Sequence, residues 1–392
     1  LNPFDLDSQV QITPAAQRRI RQGHLWVYAG EVKKEPAEGN PAIVRVLDAS
    51  GNILGHAFYS RESQIRLRFL TRDPEPISPE FFKDRILRSI GRRRTLLEDA
   101  EACRLVFGEG DLLPGIIVDR YRDYIVLQTL SNGAEAIKPL LIDIFLEALG
   151  PAGILERNDV KARRLEGLQE SRSVLWGNVP EEVEIVEGGN RFIVDLLRGQ
   201  KTGFFLDQSQ NRIAAGKYVW GQALDCFTHT GAFALQFARN CESVVAVDIS
   251  PESLALARKN SELNGYQNVE FTLGNVFDFL REMESSGRTF DTVCLDPPAF
   301  AKNRKSLAGA RSGYKEINLR ALKLLRRDGI LITSSCSYHM SEDDFFGLLC
   351  EAAQDAHRYI QVVERRSQAS DHPILAGMPE THYLKCFFLR VL

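Results

Sequence analysis

Ala223 to Phe233 reads A-L-D-C-F-T-H-T-G-A-F, and the rest of the chain is organised around it. An apolar run ending at Leu224 leads to an acid, Asp225. A short polar turn follows and closes at Gly231. Phe233, Leu235, Phe237 and Ala238 then open an amphipathic helical pattern. The order is strand, tight turn, helix. In an open parallel sheet such a turn lies outside the carboxyl end of a strand, where ligands bind. Gly231 lets a ligand approach the backbone, and free N–H groups at a helix start favour an anion. Val244 to Ile249 (V-V-A-V-D-I) predicts a second buried strand, with Asp248 near its end. An acid placed there, roughly twenty residues beyond the glycine turn, suits a ribose diol. Two further strands, in Asp291 to Phe300 (D-T-V-C-L-D-P-P-A-F) and Gly329 to Ser337 (G-I-L-I-T-S-S-C-S), also stop at unusual chemistry.

Length and composition bound the reading. The 392 residues allow two or three domains. A hydrophobic share of 44% and a charged share of 26% are ordinary for globular protein. No apolar run is long enough to span a bilayer and no charged-then-apolar leader opens the sequence, so no membrane association is expected, and the scattered cysteines suit a reducing, cytoplasmic setting. The 7 cysteines are scattered without a C-x-x-C pair, which argues against a disulfide framework or a zinc site. With a net charge of -3, nucleic-acid binding must come from local basic patches.

Taken in order, residues 1–73 predict a small β-barrel. A basic helix, Gln17 to Gln22, closes at Gly23. Strand-like runs follow at Leu25 to Tyr28, Ala42 to Leu47, Ile53 to Tyr59 and Ile65 to Leu70. Residues 74–186 predict an α+β unit. Its helix, Ser78 to Leu97, turns Phe82, Ile86, Ile90 and Leu97 inward. Lys83, Arg85, Arg88, Arg92, Arg93 and Arg94 form a charged face that reads first as solvated and second as phosphate-binding. Strands are expected at Gly115 to Asp119, Tyr124 to Thr129 and Gly153 to Glu156, with a helix over Ala134 to Leu149. Residues 187–392 begin with an expected hairpin, Arg191 to Asp195 with Thr202 to Phe205. Strands and helices then alternate, which predicts a parallel sheet. His382 to Val391 is expected as a last, antiparallel strand at the sheet edge.

The strand ends together resemble Rossmann-like S-adenosylmethionine (SAM)-dependent methyltransferases. More narrowly, the chain is similar to the bacterial large-subunit rRNA cytosine-C5 methyltransferases that carry an N-terminal PUA domain. The likeness rests on D-C-F-T-H-T-G-A-F, V-D-I-S, D-P-P-A-F and S-S-C-S. It extends to G-Q-K-T-G-F-F-L-D-Q at Gly199 to Gln208, F-G-E-G-D-L-L-P-G at Phe107 to Gly115 and G-H-L-W-V-Y at Gly23 to Tyr28. It implies a multidomain α/β protein: a PUA-like β-barrel, a central α+β domain and a Rossmann-like methyltransferase domain. SAM is the implied cofactor and rRNA the implied partner; a homodimer is compatible, and no metal is expected. Asp225, Phe227, Thr228, Gly231 and Phe233 would line the methionine end of SAM. Asp248 would accept the ribose hydroxyls, with Ile249 and Ser250 beside it. Asn275, Val276 and Phe277 would meet the adenine edge, and Gln208, Asp296 and Pro297 would complete the pocket. Arg18, Arg19, Arg21 and His24 would contact RNA, as would Lys302, Arg304 and Lys305 after the D-P-P motif.

Two residues carry the expected chemistry. Asp296 precedes two prolines, which cannot donate to a ladder, so its strand must end over the crevice. An acid there suits a flat nitrogenous base but does not select the atom methylated. Cys336 makes that choice. Cytosine C5 is a poor nucleophile until a thiolate adds at C6. Cys336 ends the apolar strand Ile330 to Thr333 between Ser335 and Ser337, whereas Cys226, Cys294 and Cys386 have apolar flanks. Many RNA cytosine-C5 enzymes place a second cysteine beside D-P-P. Here Ala299 and Phe300 stand there, so Asp296, or a water it holds, is the candidate for removing the C5 proton. Phe300 and Tyr338 are candidates for stacking on a flipped base. Two other readings stay open: methylation of a base nitrogen, as in guanine, and a catalytically silent RNA-binding factor.

Overall fold

A computed structural model describes residues 2–74, 76–97, 100–300 and 306–392. The chain forms two compact units. One comprises Leu1–Val183, Asp195–Leu206 and Ser370–Thr381; the other comprises Glu184–Val194, Asp207–Ala369 and His382–Leu392. Among the described residues no helix is long and apolar enough to cross a membrane.

The first unit holds two sheets. A six-stranded, barrel-like sheet runs in the order Trp26–Tyr28, Ile65–Thr71, Ile53–Tyr59, Ile43–Leu47, Gln9–Ile12, Val32–Lys34. Gln9–Ile12 and Val32–Lys34 were not expected, being too short and too polar to show an alternation. The helix Pro14–Arg21 starts at the Thr13 cap and buries Ala16 and Ile20. The second sheet has five strands, in the order Arg172–Gly177, Gly153–Arg157, Tyr124–Thr129, Ile116–Tyr121, Ala102–Phe107. The expected helix over Ala134 to Leu149 is two helices, Asn132–Ala136 and Lys138–Leu149, because Pro139 must sit in a first turn. A side chain at Gly133 would lie 2.1 Å from the Phe58 ring, so the first of these helices seats directly on the barrel-like sheet.

The charged face of Pro79–Leu96 needs a correction at Arg93, which is 1% exposed. All five of its N–H groups are used. They meet both oxygens of Asp111 (2.7 and 2.6 Å), the Ser89 hydroxyl, and the carbonyls of Arg104 and Asp371. The aspartate of F-G-E-G-D is therefore the partner of a buried arginine. The glutamate of the same motif, Glu109, accepts from the Trp26 indole at 2.8 Å, which joins it to G-H-L-W-V-Y.

The expected hairpin of Arg191 to Asp195 with Thr202 to Phe205 does not form. Asn190–Asp195 pairs instead with Glu182–Glu187. Gly188 and Gly189, with φ of 57° and 80°, make the tight turn that two-residue hairpins require. Val183, Ile185, Phe192 and Val194 all face inward. Thr202 instead donates to Asp119 and Phe204 N–H to the Tyr121 hydroxyl, both within the first unit.

The second unit is built on a seven-stranded sheet. In chain order its strands are β1 (Gln222–Cys226), β2 (Ser243–Asp248), β3 (Val269–Leu273), β4 (Phe290–Leu295), β5 (Leu325–Ser335), β6 (Ile360–Arg366) and β7 (Lys385–Val391). Across the sheet they run β3-β2-β1-β4-β5-β7-β6. β3 to β5 are parallel, and β7 is antiparallel to both β5 and β6. β7 is thus internal, a correction to its expected place at the edge. β6 takes the edge; Glu364, Arg365 and Arg366 hid it in the sequence, and its alternating half-exposure is what an edge allows. The helices are α1 (Ser209–Ala215), α2 (Ala232–Ala238), α3 (Pro251–Leu263), α4 (Val276–Ser286), α5 (Leu307–Leu324) and α6 (Glu342–Asp355). One core cluster joins Leu224, Val293 and Leu331 to Tyr314, Ile317 and Leu348; another lies beneath Phe233 and Phe237 on α2.

Removing the Arg93 guanidinium would leave the buried Asp111 without its two short charge-assisted bonds, with the Arg92 cation still 4.0 Å from it. Arg93→Ala should destabilise the first unit by about 3–5 kcal/mol. Arg94→Ala, at an exposed position, should change thermal unfolding little.

Candidate active site

The parallel strands stop along one edge, and the polar motifs stop with them. The strand order reverses between β1 and β4, where a crevice opens in doubly wound sheets. Asp225 is the penultimate residue of β1 and lies opposite Cys294 of β4. Asp296 follows β4, its N–H reaching the Cys226 carbonyl at 3.5 Å.

The β1–α2 turn is strained in a specific way. Phe227, His229 and Gly231 all have positive φ (64°, 51° and 83°), a conformation that side chains resist. Three bonds hold it. Thr228 N–H donates to the Val247 carbonyl, His229 N–H to Asp248 Oδ2 (2.8 Å), and the Thr228 hydroxyl to Asp225 Oδ2 (2.6 Å). Asp248 Oδ1 accepts from Ser250 N–H at 2.9 Å, so this carboxylate is fixed from both sides at the end of β2. Each oxygen retains acceptor capacity for a further donor such as a diol. Ile249 beside it is 69% exposed, an apolar surface open to solvent.

Asp225 is fully buried, and burial above all pushes its carboxyl up to about 7, with Asp296 adding to the effect. Among the described residues no donor meets its Oδ1 at hydrogen-bonding geometry, while the Thr228 hydroxyl, and after it the Ala234 N–H and the Cys294 thiol, pull the carboxyl the other way. An orphaned buried oxygen beside a backbone-lined turn fits a cationic or N–H-bearing group, such as the methionine end of SAM.

Other positions expected at the cofactor are divided between ligand-facing and structural duty. Asn275 caps α4, its side chain accepting from Phe277 N–H at 2.9 Å. Val276 is buried in the core, and Phe233 is buried on α2. Gln208 gains the physical role its sequence context lacked. Its amide donates to Asp296 Oδ1 (2.8 Å) and to the Ser334 hydroxyl (3.2 Å), and its Oε1 accepts from Asn211 (2.6 Å). It therefore orients the acid of D-P-P from the side of β5.

The serines of S-S-C-S are each held by hydrogen bonds. Ser334 meets Gln208, and the Ser335 hydroxyl accepts from Ser337 N–H at 3.4 Å. The Ser337 hydroxyl is 2.9 Å from the buried Tyr314 phenol of α5, and the Ser337 carbonyl accepts from Lys385 Nζ at 2.7 Å. Cys336 is half-buried, with its thiol 3.8 Å from the Pro297 carbonyl. Cys226, Cys294 and Cys386 are fully buried, and burial pushes each thiol well up. Tyr314 and Lys385 escaped the sequence reading: one matches helical core periodicity, the other is a lone lysine in an apolar strand.

Phe300 packs among Phe227, Phe277 and Tyr314, with ring centroids 4.7 Å from Tyr314, whereas Tyr338 is 46% exposed. Of the basic positions, Arg18 and Arg21 are exposed. Arg19 is engaged by both Glu31 oxygens and the Trp26 carbonyl, and His24 is buried against Glu380 and Trp26 N–H. Lys302, Arg304 and Lys305 lie outside the described residues.

Fold and site together define a SAM-dependent methyltransferase with a PUA-like domain. Residues 10–72 match the PUA-like domain family, and residues 221–376 match the methyltransferase domain family. A relative from Tolumonas auensis, ribosomal RNA large subunit methyltransferase I, is 39% identical over 99% of this chain and 100% of its own length. Its namesake from Shewanella denitrificans is 40% identical over 98% and 99%. The chain belongs to the ribosomal RNA large subunit methyltransferase I family. The same fold recurs in a Streptococcus mutans protein described as a SAM-dependent methyltransferase, at a TM-score of 0.83 and 20% identity over 97% of this chain and 99% of that one. A methyltransferase structure complexed with SAH has the same likeness and coverage.

Asp225 gives a test with a definite sign. Its folded-state pKa of about 7 lies above the unfolded value of about 3.9. The folded state therefore holds the extra proton between these values, and stability falls as pH rises through about 7. Asp225→Asn should melt with the ligand-free wild type at about pH 4 and below, draw ahead as pH rises from about 4 to 7, and stay several degrees higher at about pH 8, as read by thermal denaturation across pH.

Proposed function

We propose that this protein methylates C5 of a cytosine in large-subunit rRNA, with Cys336 as nucleophile. The observation that carries the reading is the contrast among cysteines at the sheet. Cys336 alone is half-open, at the end of β5 beyond the D-P-P turn, while Cys226, Cys294 and Cys386 are sealed. The rRNA substrate is what the relatives' names state of those proteins.

Bound SAM supplies an electrophilic methyl carbon. The chain's residues prepare the base. The Cys336 thiolate adds to C6; the S–C6 bond forms and the C5–C6 π pair becomes available at C5. Once C5 carries its methyl group, a base takes the C5 proton. The C5–H electrons rebuild the double bond, and the C6–S bond breaks to return the thiolate. Asp296, held by Gln208, would accept that proton directly or through water. The D-P-P acid also suits a base-nitrogen reaction, in which Asp296 would orient an exocyclic amine; analysis of the modified nucleoside separates the two.

RNA carrying 5-fluorocytosine at the target should trap the enzyme as an adduct that survives denaturing electrophoresis, because fluorine does not leave as a proton. Cys336→Ala should abolish adduct and turnover with SAM affinity nearly unchanged. Turnover near the wild-type rate in that variant rules out C5 chemistry through this thiol. Asp248→Ala should leave the thiol intact and weaken SAM. Losing a charged acceptor costs roughly 1.5–3 kcal/mol, or about tenfold or more in affinity by calorimetry.

A further inference from the structure

Lys385 opens β7 and is 2% exposed. Its ammonium donates to two neutral acceptors, the carbonyls of Ser337 (2.7 Å) and Tyr383 (2.9 Å). Among the described residues no carboxylate lies within ion-pair distance of it. A buried ammonium satisfied only by carbonyls is costly, and proteins ordinarily pair such a charge. A tether for the Ser337 carbonyl needs only a neutral donor, so the charge asks for a separate reason.

The strand register supplies one. Lys385 pairs with Ser335 across β5 and β7 while its ammonium holds Ser337, so it grips the residues on both sides of Cys336. Cys336 is also its strongest electrostatic partner, ahead of Glu342 at the start of α6. Burial pushes the ammonium down to about 8, which leaves it mostly charged at neutral pH. The other groups facing this turn do not replace it. Tyr314, on α5, has its phenol pushed up by burial; Glu342 is paired with Arg365; Asp296, after β4, is bonded to Gln208.

We propose that Lys385 is the positioning residue that holds Cys336 as a thiolate, serving as its buried counter-charge. The proposal rests on the reading of Cys336 as the nucleophile, because a thiol without chemistry would need no counter-charge. In this state the thiol's proton has gone to solvent, the ammonium keeps its own, and the pair is neutral overall. As pH rises through about 8, the ammonium discharges and its support is withdrawn.

The test reads the thiol without RNA. The full chain carries Cys350→Ser, since Cys350 is the exposed cysteine. Iodoacetamide alkylation of Cys336 is followed by peptide mass spectrometry from about pH 5.5 to 9.5, spanning the ordinary thiol range. Lys385→Met should move the midpoint up by about one unit or more, which slows alkylation at neutral pH about tenfold. Lys385→Arg, which keeps the charge, should stay within about half a unit of wild type. Should the methionine variant unfold, Lys385→Gln keeps a donor for the Ser337 carbonyl and loses the charge, and the same upward shift is expected. A profile in the uncharged variants that superimposes on wild type overturns the proposal and leaves Lys385 as a tether. A shifted profile together with failed 5-fluorocytosine trapping sinks the cytosine reading alone. Lost methylation with an unshifted profile sinks the counter-charge alone.

Discussion

A sheet covered on both faces can hold ionisable side chains only where its strands begin and stop. The inner strands of the second unit are buried almost throughout. The carboxylates and lysine of β1, β2, β4 and β7 obey the rule: Asp225 is next to last in β1, Asp248 last in β2, Asp291 second in β4 and Lys385 first in β7. Asp291, at the opposite end from the crevice, meets Arg326 and Gln222 N–H and is structural. The other three gather at the crevice end because the parallel strands stop there and β7, running the other way, starts there. Burial thereby concentrates reactive groups on one edge without any long-range guidance.

Side chains that reach between neighbouring strands make that edge one structure. Gln208 spans the ends of β4 and β5, and Asp248 ties the β2 end to the β1 turn. Tyr314 comes from beneath the sheet to hold Ser337. Each bond fixes a residue adjacent to one with expected chemistry. A mutation at Tyr314 would perturb the site through Ser337 without touching the cofactor pocket.

Much of this was legible in the sequence where the backbone itself must behave unusually. A-L-D-C-F-T-H-T-G-A-F and D-P-P-A-F announce strands that have to end, and β1 and β4 end where those signals put them. Legibility failed where one signal had two physical meanings. Arg93 sits in a charge run that reads as a solvated face, yet its guanidinium is enclosed by Asp111 and carbonyls; periodicity alone cannot show an internal ion pair. The expected hairpin of Arg191 to Asp195 with Thr202 to Phe205 ignores the Gly188-Gly189 turn, which the apolar alternation of residues 182–187 supports. The edge strand β6 alternates apolar and charged residues weakly, because only one of its sides is paired. At the site, the carboxylates and Cys336 stood out by type, whereas Lys385 and Tyr314 are defined by a register and a helix face that exist only after folding.

β7 is made after both of its neighbours and inserts between them. Until residues 385–391 have left the ribosome, β5 and β6 cannot be joined, and each presents an unpaired strand. The inserted residues include Phe387, Phe388 and Leu389, all buried in the finished sheet, so its core also waits for them. Synthesis order thus runs against assembly order. The nascent protein carries an open gap in its main sheet for as long as it takes to translate the stretch after β6. Unpaired strand edges of this kind are aggregation-prone for as long as they stay open. Insertion of β7 is the step that joins β5 to β6 and completes the sheet.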